Sequence, residues 1–271
     1  MKIFKNKIEL LNELSGLNNI AFIPTMGSIH DGHLSLIKKA KKKSVNIIVS
    51  IYVNPKQFNT TKNFQEYPRN IKKDITLLKK TKIKYLYLPK YKDIYSFKTK
   101  LPIYLDHFSK KLCGKFRPKH FYGVINVVNR FIEIIKPKLI FLGFKDFQQL
   151  SLINLHINKN RILTKVIGCS TIRDKNGIAL SSRNKKLNKK QLHIASKVFK
   201  YLKINKKDIL LKNKRKDKLD LKKKLLSFGV TKIQYLEGLN LKTLKKPLMS
   251  GKKSNIFIAY YLGRIRLIDN L

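Results

Sequence analysis

The sequence has few acidic residues. Its 15 Asp and Glu stand against 61 Lys and Arg in 271 residues, which gives a formal net charge of +46. Such an imbalance is typical of proteins that bind nucleic acids or anionic membranes. Nearly all of the excess is lysine, with about nine arginines, whereas proteins that recognise base sequence depend on arginine. Lysine, asparagine and isoleucine have A/T-rich codons and are all abundant, so we attribute the charge mainly to compositional bias of the genome.

Cysteine is also scarce, and long apolar runs are missing. Cys113 and Cys169 belong to no CxxC or Cys/His pattern, so we expect neither a disulfide framework nor a zinc site. No run approaches the roughly 18 apolar residues of a membrane-spanning helix. The basic N-terminal residues lack the continuous apolar stretch of a secretory signal. We therefore expect a cytoplasmic protein with no membrane partner.

Apolar residues, at 43% of the chain, are nevertheless abundant enough for a folded core, which excludes a disordered basic tail. In the first part of the chain, runs rich in β-branched residues alternate with stretches of helical periodicity. Strands are predicted at 19–23, 45–53, 85–88, 139–142 and 162–167, and helices at 34–43, 71–80, 121–135 and 147–158. This alternation predicts an α/β fold with a doubly wound parallel sheet, whose ligands bind at the carboxyl ends of the strands.

The pattern changes after about residue 184. Helices are predicted at 189–203 and 217–227, followed by short strands at 233–236, 255–261 and 264–268. The lysine-rich segment 203–224 keeps a leucine periodicity, which favours a pair of exposed helices over disorder. Helices followed by clustered strands predict a smaller α+β domain. We divide the chain into a Rossmann-like domain, 1–175, and a C-terminal lid domain, 176–271.

The first motif, PTMGSIHDGH at 24–33, follows a predicted strand and precedes a predicted helix. Gly27 and Gly32 allow a ligand to approach the backbone closely. His30 and His33 lie on one face of the first helical turn, where the helix N-terminus attracts anions. Two imidazoles there are suited to donate hydrogen bonds to phosphate oxygens. The alternative interpretation is a pair of surface or metal-ligating histidines.

Two more motifs follow predicted strands. Gln57, in NPKQF, offers donors and an acceptor suited to a hydroxy-carboxylate, although loops are generally polar and this is the alternative. Lys145, in GFKDFQQ, follows the strand at 139–142. A point charge at that position is suited to stabilise a pentavalent phosphorus transition state, whereas most lysines are simply solvated.

A fourth motif, LSSRN at 180–184, lies near the predicted domain boundary. The hydroxyls of Ser181 and Ser182 and the guanidinium of Arg183 are suited to bind phosphate oxygens, and a segment at a domain junction is suited to close over a ligand. A serine-rich linker is the alternative. About four of the nine arginines lie in or beside the motifs, at Arg69, Arg117, Arg173 and Arg183. We interpret them as marking sites where lysine cannot replace the guanidinium fork.

The strand, loop and helix around His30 and His33 resemble the nucleotidyl-transferase superfamily that includes class I aminoacyl-tRNA synthetases. Six segments narrow this resemblance: PTMGSIHDGHLSLI, VSIYVNPKQF, EYPR, LCGKFRPKHFYGV, FLGFKDFQQL and GIALSSRN. In this order, together with the C-terminal GRIRLIDN, they resemble the pantoate–β-alanine ligase family over essentially the whole chain.

The resemblance implies ATP-dependent ligation of pantoate and β-alanine through a pantoyl adenylate, with release of pyrophosphate and AMP. It implies Mg²⁺ on the β- and γ-phosphate oxygens of ATP and a homodimer, and we assign no protein residue as a metal ligand. Catalytic roles are implied for His30, His33, Lys145 and Arg183. ATP binding is implied for Met26, Gly27, His30, His33, Gly143, Lys145, Asp146, Ile172, Leu180, Ser181, Ser182 and Arg183. Gln57 and Gln149 are implied in binding pantoate, and Gln57 also in binding β-alanine afterwards.

The chain departs from the family pattern at Phe144, where the family usually has Glu, and at Lys119, where it usually has Gly. We expect Arg117 and His120 to line the pantoate or phosphate side of the site. Asp74 either helps to hold Mg²⁺ or is a solvated acid on a helix, and we favour the solvated acid.

Two other functions are alternatives. A nucleotidyltransferase that forms a dinucleotide-type product would need a second base-specific pocket, and the glutamines at 57 and 149 argue against it. A non-enzymatic RNA-binding protein would show aromatic stacking platforms or arginine-rich stripes, and the sequence has neither. We therefore expect small-molecule substrates and no specific nucleic-acid partner.

Overall fold

The computed structural model describes residues 1–211, 215–247 and 253–271. The chain divides into two compact units, Met1–Thr171 and Ile172–Leu271. The sequence prediction set the boundary slightly later, between residues 175 and 176. Each unit contains its own sheet. No helix in the described ranges is long and apolar enough to cross a membrane.

The first unit is built on a six-stranded sheet in which all strand pairs are parallel. The strands are β1 (Lys2–Phe4), β2 (Ile20–Thr25), β3 (Asn46–Ile51), β4 (Tyr85–Tyr87), β5 (Leu139–Gly143) and β6 (Lys165–Cys169). The helices are α1 (Lys7–Leu14), α2 (Asp31–Lys41), α3 (Thr61–Gln65), α4 (Ile71–Lys80), α5 (Tyr91–Tyr95), α6 (Cys113–Phe116), α7 (His120–Ile135) and α8 (Phe147–Lys159). Short 3₁₀ turns lie at Pro55–Gln57, His107–Lys110 and Phe144–Asp146.

The strand order β1-β4-β3-β2-β5-β6 confirms the doubly wound α/β prediction. From β2 the chain moves outward through β3 and β4 on one side, and then returns to build β5 and β6 on the other side. The order therefore reverses between β2 and β5, which are hydrogen-bonded neighbours. In such sheets, the crevice beyond the carboxyl ends of the strands at this switch point is where ligands bind.

Both faces of the sheet are covered. On one face, Ala21 and Ile23 of β2 pack in a buried cluster with Leu36 of α2. On the other face, the ring of Phe22 lies 5.2 Å from that of Phe131 in α7. Burial on both faces explains why the central strands are continuous apolar runs in the sequence instead of alternating ones.

The second unit is an α+β unit, as the sequence predicted. Its antiparallel sheet has the order β7-β8-β9, with β7 at Lys232–Asn240, β8 at Ser254–Leu262 and β9 at Ile265–Asn270. The preceding elements are a 3₁₀ turn at Ser182–Lys186, α9 (Lys189–Ile204), α10 (Lys206–Leu211) and α11 (Arg215–Ser227). Leu202, Leu225 and Ile258 are among the residues of its buried core.

Three parts of the element prediction differ from the structure. The strand predicted at 162–167 lies instead at Lys165–Cys169 as β6, and Leu163, which the pattern included, is 96% exposed. The prediction missed β1, because its three residues are too few to show a hydrophobic periodicity. It also missed α1, in which the apolar residue Ile8 faces solvent and disturbs the helical pattern. The helix pair predicted over 203–224 falls on the end of α9, on α10 and on α11, while residues 212–214 lie outside the described residues.

Candidate active site

The histidine pair lies where α2 begins, directly after the β2 loop. His30 is the N-cap of α2, and its Nδ1 accepts a hydrogen bond from the backbone N–H of Gly32 at 3.1 Å. A backbone N–H can only donate, so the neutral ring of His30 carries its proton on Nε2. The ring centroids of His30 and His33 are 4.1 Å apart. The structure thus brings both imidazoles together at the electropositive end of a helix.

Asp74, on α4, holds the loop that carries the histidines. Its carboxylate accepts the backbone N–H groups of Ser28 at 2.7 Å and Ile29 at 2.8 Å, one on each oxygen. The side chain is 2% exposed, so our preference for a solvated acid is wrong. Each oxygen accepts one backbone N–H group, so the carboxylate holds the loop in position.

The loop conformation depends on this close contact. Gly27 and Ser28 both have positive φ, 77° and 54°. A Cβ on Gly27 would lie 2.9 Å from Oδ2 of Asp74, so only glycine fits there. The turn therefore combines backbone strain at Ser28 with charge-assisted hydrogen bonds that offset it.

Gln57 joins the second motif to the first. Its side chain is 7% exposed, and its Nε2 donates to Sδ of Met26 at 2.8 Å. Its Oε1 accepts a hydrogen bond from Nδ2 of Asn54 at 3.3 Å. A thioether is a weak acceptor. The amide N–H of Gln57 can therefore exchange this hydrogen bond for one to a carboxylate or hydroxyl oxygen of a ligand at low cost. The segments that follow the neighbouring strands β2 and β3 therefore meet at this amide.

Asn54 organises the turn around Gln57, and the sequence prediction did not include it. Its side chain is fully buried and donates from Nδ2 to the carbonyl oxygen of Gly123 at 3.0 Å. Its Oδ1 accepts from the hydroxyl of Tyr95 at 2.9 Å. Burial raises the pKa of Tyr95, which keeps this hydroxyl protonated as a donor. The signal for this role was present, because asparagine before proline favours a turn whose backbone the side chain caps.

Arg117 and His120 bind the backbone of the same turn. Nδ1 of His120 lies 2.8 Å from the carbonyl oxygen of Gln57, and Nη2 of Arg117 donates to that oxygen at 3.3 Å. Nη1 of Arg117 lies 3.0 Å from Nε2 of His120. We had expected these two residues to line the pantoate or phosphate side. Both side chains contact the backbone carbonyl oxygen of Gln57, the residue assigned to pantoate, and this expectation stays a prediction.

The third motif forms the 3₁₀ turn Phe144–Asp146 at the carboxyl end of β5. Lys145 is mostly buried, with 15% of its side chain exposed, and its Nζ lies 3.7 Å from Oδ1 of the half-exposed Asp146. Gly143, at the end of β5, is the N-cap of this turn. Because β5 neighbours β2, Lys145 and the histidine loop both follow strands that flank the switch point.

Phe144, one of the two residues that depart from the family pattern, packs over the end of β6. A Cβ on Gly168 would lie 2.9 Å from Cε1 of the Phe144 ring, so the ring rests directly on the glycine. The side chain remains 39% exposed. Phe144 thus contributes an aromatic surface next to the turn that carries Lys145, where glutamate would contribute a charge.

The two glutamines of the FQQL segment have different surroundings. Gln148 is buried, and its Nε2 donates to the carbonyl oxygens of Phe108 at 2.7 Å and Lys111 at 2.8 Å. Its amide therefore fixes the chain before α6. Gln149, which the sequence assigned to pantoate, is half-buried on the first turn of α8.

The fourth motif lies in the second unit. The backbone N–H of Leu180 donates to the carbonyl oxygen of Ile172 at 2.9 Å, which pairs two of the residues assigned to ATP. The side chain of Ser181 caps the 3₁₀ turn that follows it by accepting the N–H of Arg183 at 3.2 Å. Ser182 is buried. The LSSRN segment is therefore an ordered turn in this unit.

Two of the four arginines near the motifs have structural contacts. Arg173 binds Asp269 of β9 through two hydrogen bonds of 2.7 and 2.9 Å. Arg69 donates to the carbonyl oxygens of Phe64 at 2.6 Å and Gln65 at 3.0 Å, which caps the end of α3. These two guanidinium groups stabilise the fold locally. The interpretation that scarce arginines mark the chemistry stays a prediction for these two, and Arg69 also lines a pocket with Met26 and Gly27.

Comparisons with known proteins agree with this geometry. Residues 2–271 match the family model described as pantoate-beta-alanine ligase. The chain is 39% identical to the pantothenate synthetase of Francisella tularensis subsp. novicida (strain U112). The aligned region is 260 residues long and covers 96% of this chain and 91% of that protein.

Solved structures show the same similarity. A pantoate-beta-alanine ligase from Francisella tularensis, complexed with beta-gamma ATP and beta-alanine, has a TM-score of 0.85 and 37% identity, covering 100% of this chain and 97% of that one. A pantothenate synthetase from Thermus thermophilus has a TM-score of 0.90 and 28% identity, covering 100% of this chain and 99% of that one.

Proposed function

The chain belongs to the pantoate–β-alanine ligase family and is an ATP-dependent ligase, and from this premise we propose that it forms pantothenate through a pantoyl adenylate. In the first step, a carboxylate oxygen of pantoate attacks the α-phosphorus of MgATP, and the bond to pyrophosphate breaks. In the second step, the amine of β-alanine attacks the acyl carbon, forms the amide and loses a proton, while AMP leaves with the electrons of the acyl–oxygen bond.

The histidine pair at the start of α2 is the observation that carries this proposal. Phosphoryl-group reactions need mainly positioning and stabilisation of negative charge. His30 presents its Nε2–H there, next to His33 and the N-terminal end of the helix. We assign phosphate contacts to both histidines and a charge-stabilising role to Lys145 at the neighbouring strand end. The other residues of the first unit that we propose to contact ATP are Met26, Gly27, Gly143 and Asp146.

The amide of Gln57 is suited to pantoate. It offers N–H donors to the carboxylate and an oxygen that accepts from the hydroxyl group, and its present acceptor, the thioether of Met26, is weak. We assign pantoate binding to Gln57 and Gln149, and β-alanine binding to Gln57 once the adenylate has formed. Burial of the Gln57 side chain also limits the water that would hydrolyse an acyl adenylate.

For the second unit we propose that Ile172, Leu180, Ser181, Ser182 and Arg183 contact ATP. The family resemblance supports this assignment, and so does the ordered turn in which Ser181 caps the backbone of Arg183. A guanidinium on such a turn can bind two phosphate oxygens at once. Arg183 is therefore the catalytic residue that we propose for this unit.

We further propose that the enzyme is a homodimer in the cytoplasm. Cys113 and Cys169 are both buried free thiols, which suits a reducing compartment. Light scattering on the purified protein tests the assembly, because a dimer has twice the mass of the chain.

A single assay tests the reaction. The protein is mixed with ATP, Mg²⁺, pantoate and β-alanine, and AMP is followed. The adenylate predicts that pyrophosphate is released without β-alanine but not without pantoate. Absence of AMP under these conditions would refute the proposal. Release of pyrophosphate that requires a second nucleotide instead of pantoate would indicate a dinucleotide-forming transferase.

Lys145→Ala tests the charge at the end of β5. Loss of one positioned cation should lower the rate of adenylation at least about a hundredfold and leave the fold intact. Lys165→Ala is the matched control, because Lys165 is exposed at the opposite, amino end of β6. Near-normal adenylation by Lys145→Ala would contradict its assigned role.

A further inference from the structure

The contacts behind Gln57 point to a function for two residues that do not themselves need to touch substrate. We propose that Arg117 and His120 are positioning residues of the pantoate site, which act by fixing the backbone of Gln57 and therefore the direction of its amide. The inference rests on the proposed role of Gln57 in pantoate binding.

The hydrogen bonds around His120 define its protonation state. The carbonyl oxygen of Gln57 can only accept, so Nδ1 of His120, 2.8 Å away, carries the proton. A guanidinium can only donate, so Nε2 of His120 accepts from Arg117 at 3.0 Å. Arg117 also donates directly to the Gln57 carbonyl. Neutral His120 therefore forms a closed triangle with Arg117 and the Gln57 carbonyl.

The turn that carries Gln57 has little rigidity of its own. The 3₁₀ turn contains only Pro55–Gln57, and the Gln57 backbone N–H reaches the Asn54 carbonyl at a long 3.4 Å. A turn this short is not stable by itself, because 3₁₀ hydrogen bonds have poor geometry and helix formation is cooperative. Contacts from outside the turn must therefore determine its position.

Helix α7 supplies these outside contacts. His120 is its first residue, Gly123 follows one turn later, and Arg117 lies three residues before His120 as the C-cap of α6. A Cβ on Gly123 would lie 2.8 Å from Cα of Gln57, so the helix backbone touches the turn directly. His120 is 7% exposed, which keeps its hydrogen bond to the turn away from competing water. Together these contacts fix Gln57 from behind while its amide faces Met26.

The energetic consequence concerns pantoate more than ATP. A displacement of about 1 Å in a substrate-positioning group can lower the rate on the order of a hundredfold. Loss of the hydrogen bonds from Arg117 and His120 to the Gln57 carbonyl should therefore raise the KM for pantoate about ten- to a hundredfold. The KM for ATP should change less than about threefold, because the residues assigned to phosphate lie on the β2 loop and after β5.

Four variants test the proposal in the AMP assay. Arg117→Met and His120→Phe remove the donors to the Gln57 carbonyl, and Arg117 is half-buried, so its replacement endangers the fold less. His120→Asn is the rescue variant, because the side-chain NH₂ group of asparagine takes the position of the Nδ1 donor of histidine. His156→Phe is the matched control. His156 is buried as well, but its Nδ1 accepts from the backbone of Tyr104 at 3.2 Å.

The expected result is a higher KM for pantoate with Arg117→Met and His120→Phe, and a KM near wild type with His120→Asn. His156→Phe should lower Tm without a selective change in that KM. Two results would overturn the inference: equal rises in the KM for pantoate and for ATP, or a KM for pantoate that stays high in His120→Asn. Either would show that both residues only stabilise the fold.

Gln57→Ala separates the inference from the function on which it rests. If Gln57→Ala raises the KM for pantoate but Arg117→Met and His120→Phe do not, the positioning inference fails alone. If Gln57→Ala leaves pantoate binding unchanged, the assignment of Gln57 and the positioning inference fail together. Absence of AMP from the unmodified protein would refute the proposed function itself.

Discussion

Replacement of Asp74 by asparagine should impair catalysis much more than its distance from the reacting groups suggests. Asp74 touches neither histidine ring in the contacts described above, yet both of its oxygens hold the loop that leads into α2. The asparagine side chain would keep one acceptor oxygen. Its NH₂ group would face a backbone N–H of Ser28 or Ile29, where two donors oppose each other.

The magnitude follows from the two hydrogen bonds. A hydrogen bond to a charged group contributes about 1.5–3 kcal/mol, and a buried N–H without an acceptor costs about 1–3 kcal/mol. Asp74→Asn loses one such bond and weakens the other, so the native loop should be destabilised by about 3 kcal/mol. Because each 1.4 kcal/mol corresponds to a factor of ten, adenylation should slow by about a hundredfold.

Asp93→Asn is a closely matched control. Asp93 is buried as well, and its carboxylate also accepts two backbone N–H groups, from Lys7 at 3.2 Å and Lys90 at 2.8 Å. Both variants should lose a similar free energy of unfolding in urea titrations. Only Asp74→Asn should lose the pantoate-dependent release of pyrophosphate.

Three outcomes would refute the reasoning. Normal adenylation by Asp74→Asn, with the expected loss of stability, would show that the loop does not position the histidines. An equal loss of adenylation by Asp93→Asn would assign the effect to stability alone. Unchanged stability and activity in Asp74→Asn would show that the carboxylate contacts carry little free energy.

Two further predictions concern stability. Lys119 precedes α7 with φ of 65°, so Lys119→Gly should raise the free energy of unfolding by about 0.5–1 kcal/mol in urea titrations, whereas Lys119→Ala, which keeps the strain, should not. Burial lowers the pKa of His156 to about 4. The unfolded chain binds this proton near pH 6.5 and the folded chain does not, so stability should fall by about 3 kcal/mol as the pH drops from about 6.5 to 4. His156→Asn should remove this part of the pH dependence, and an unchanged dependence would contradict the assignment.

Local sequence determined most of the longer elements of the fold. The helix predicted at 71–80 has the bounds of α4, and the strands predicted at 19–23 and 45–53 overlap β2 and β3 within two residues at each end. These elements are encoded by the spacing of apolar side chains, which acts within a few residues. The alternation of strands and helices was enough to predict a doubly wound sheet.

Local sequence also located the first three motifs, because each follows a strand. The positions of Gln57 and Lys145 after β3 and β5 follow from chain order together with the rule that parallel strands present their carboxyl ends at one edge. The compositional excess of lysine, in contrast, contributed nothing to locating the site.

Only the tertiary structure determined which polar residues support the motifs. Asp74 and Ser28 are 46 positions apart, and His120 and Gln57 are 63 positions apart. Asn54 and Gly123 are 69 positions apart. Sequence patterns report which face of an element is apolar, but not which polar side chain will find a partner when chain segments fold together.

The physical reason is burial. An isolated Asp on a lysine-rich helix is ordinarily solvated, and the same residue becomes a loop anchor only when folding removes water and brings two backbone N–H groups to it. Arg69 and Arg173 likewise meet their carbonyl and carboxylate partners only in the folded chain. The sequence by itself determined most of the longer elements and located the motifs, and the tertiary structure decided which charged and polar groups hold those motifs in place.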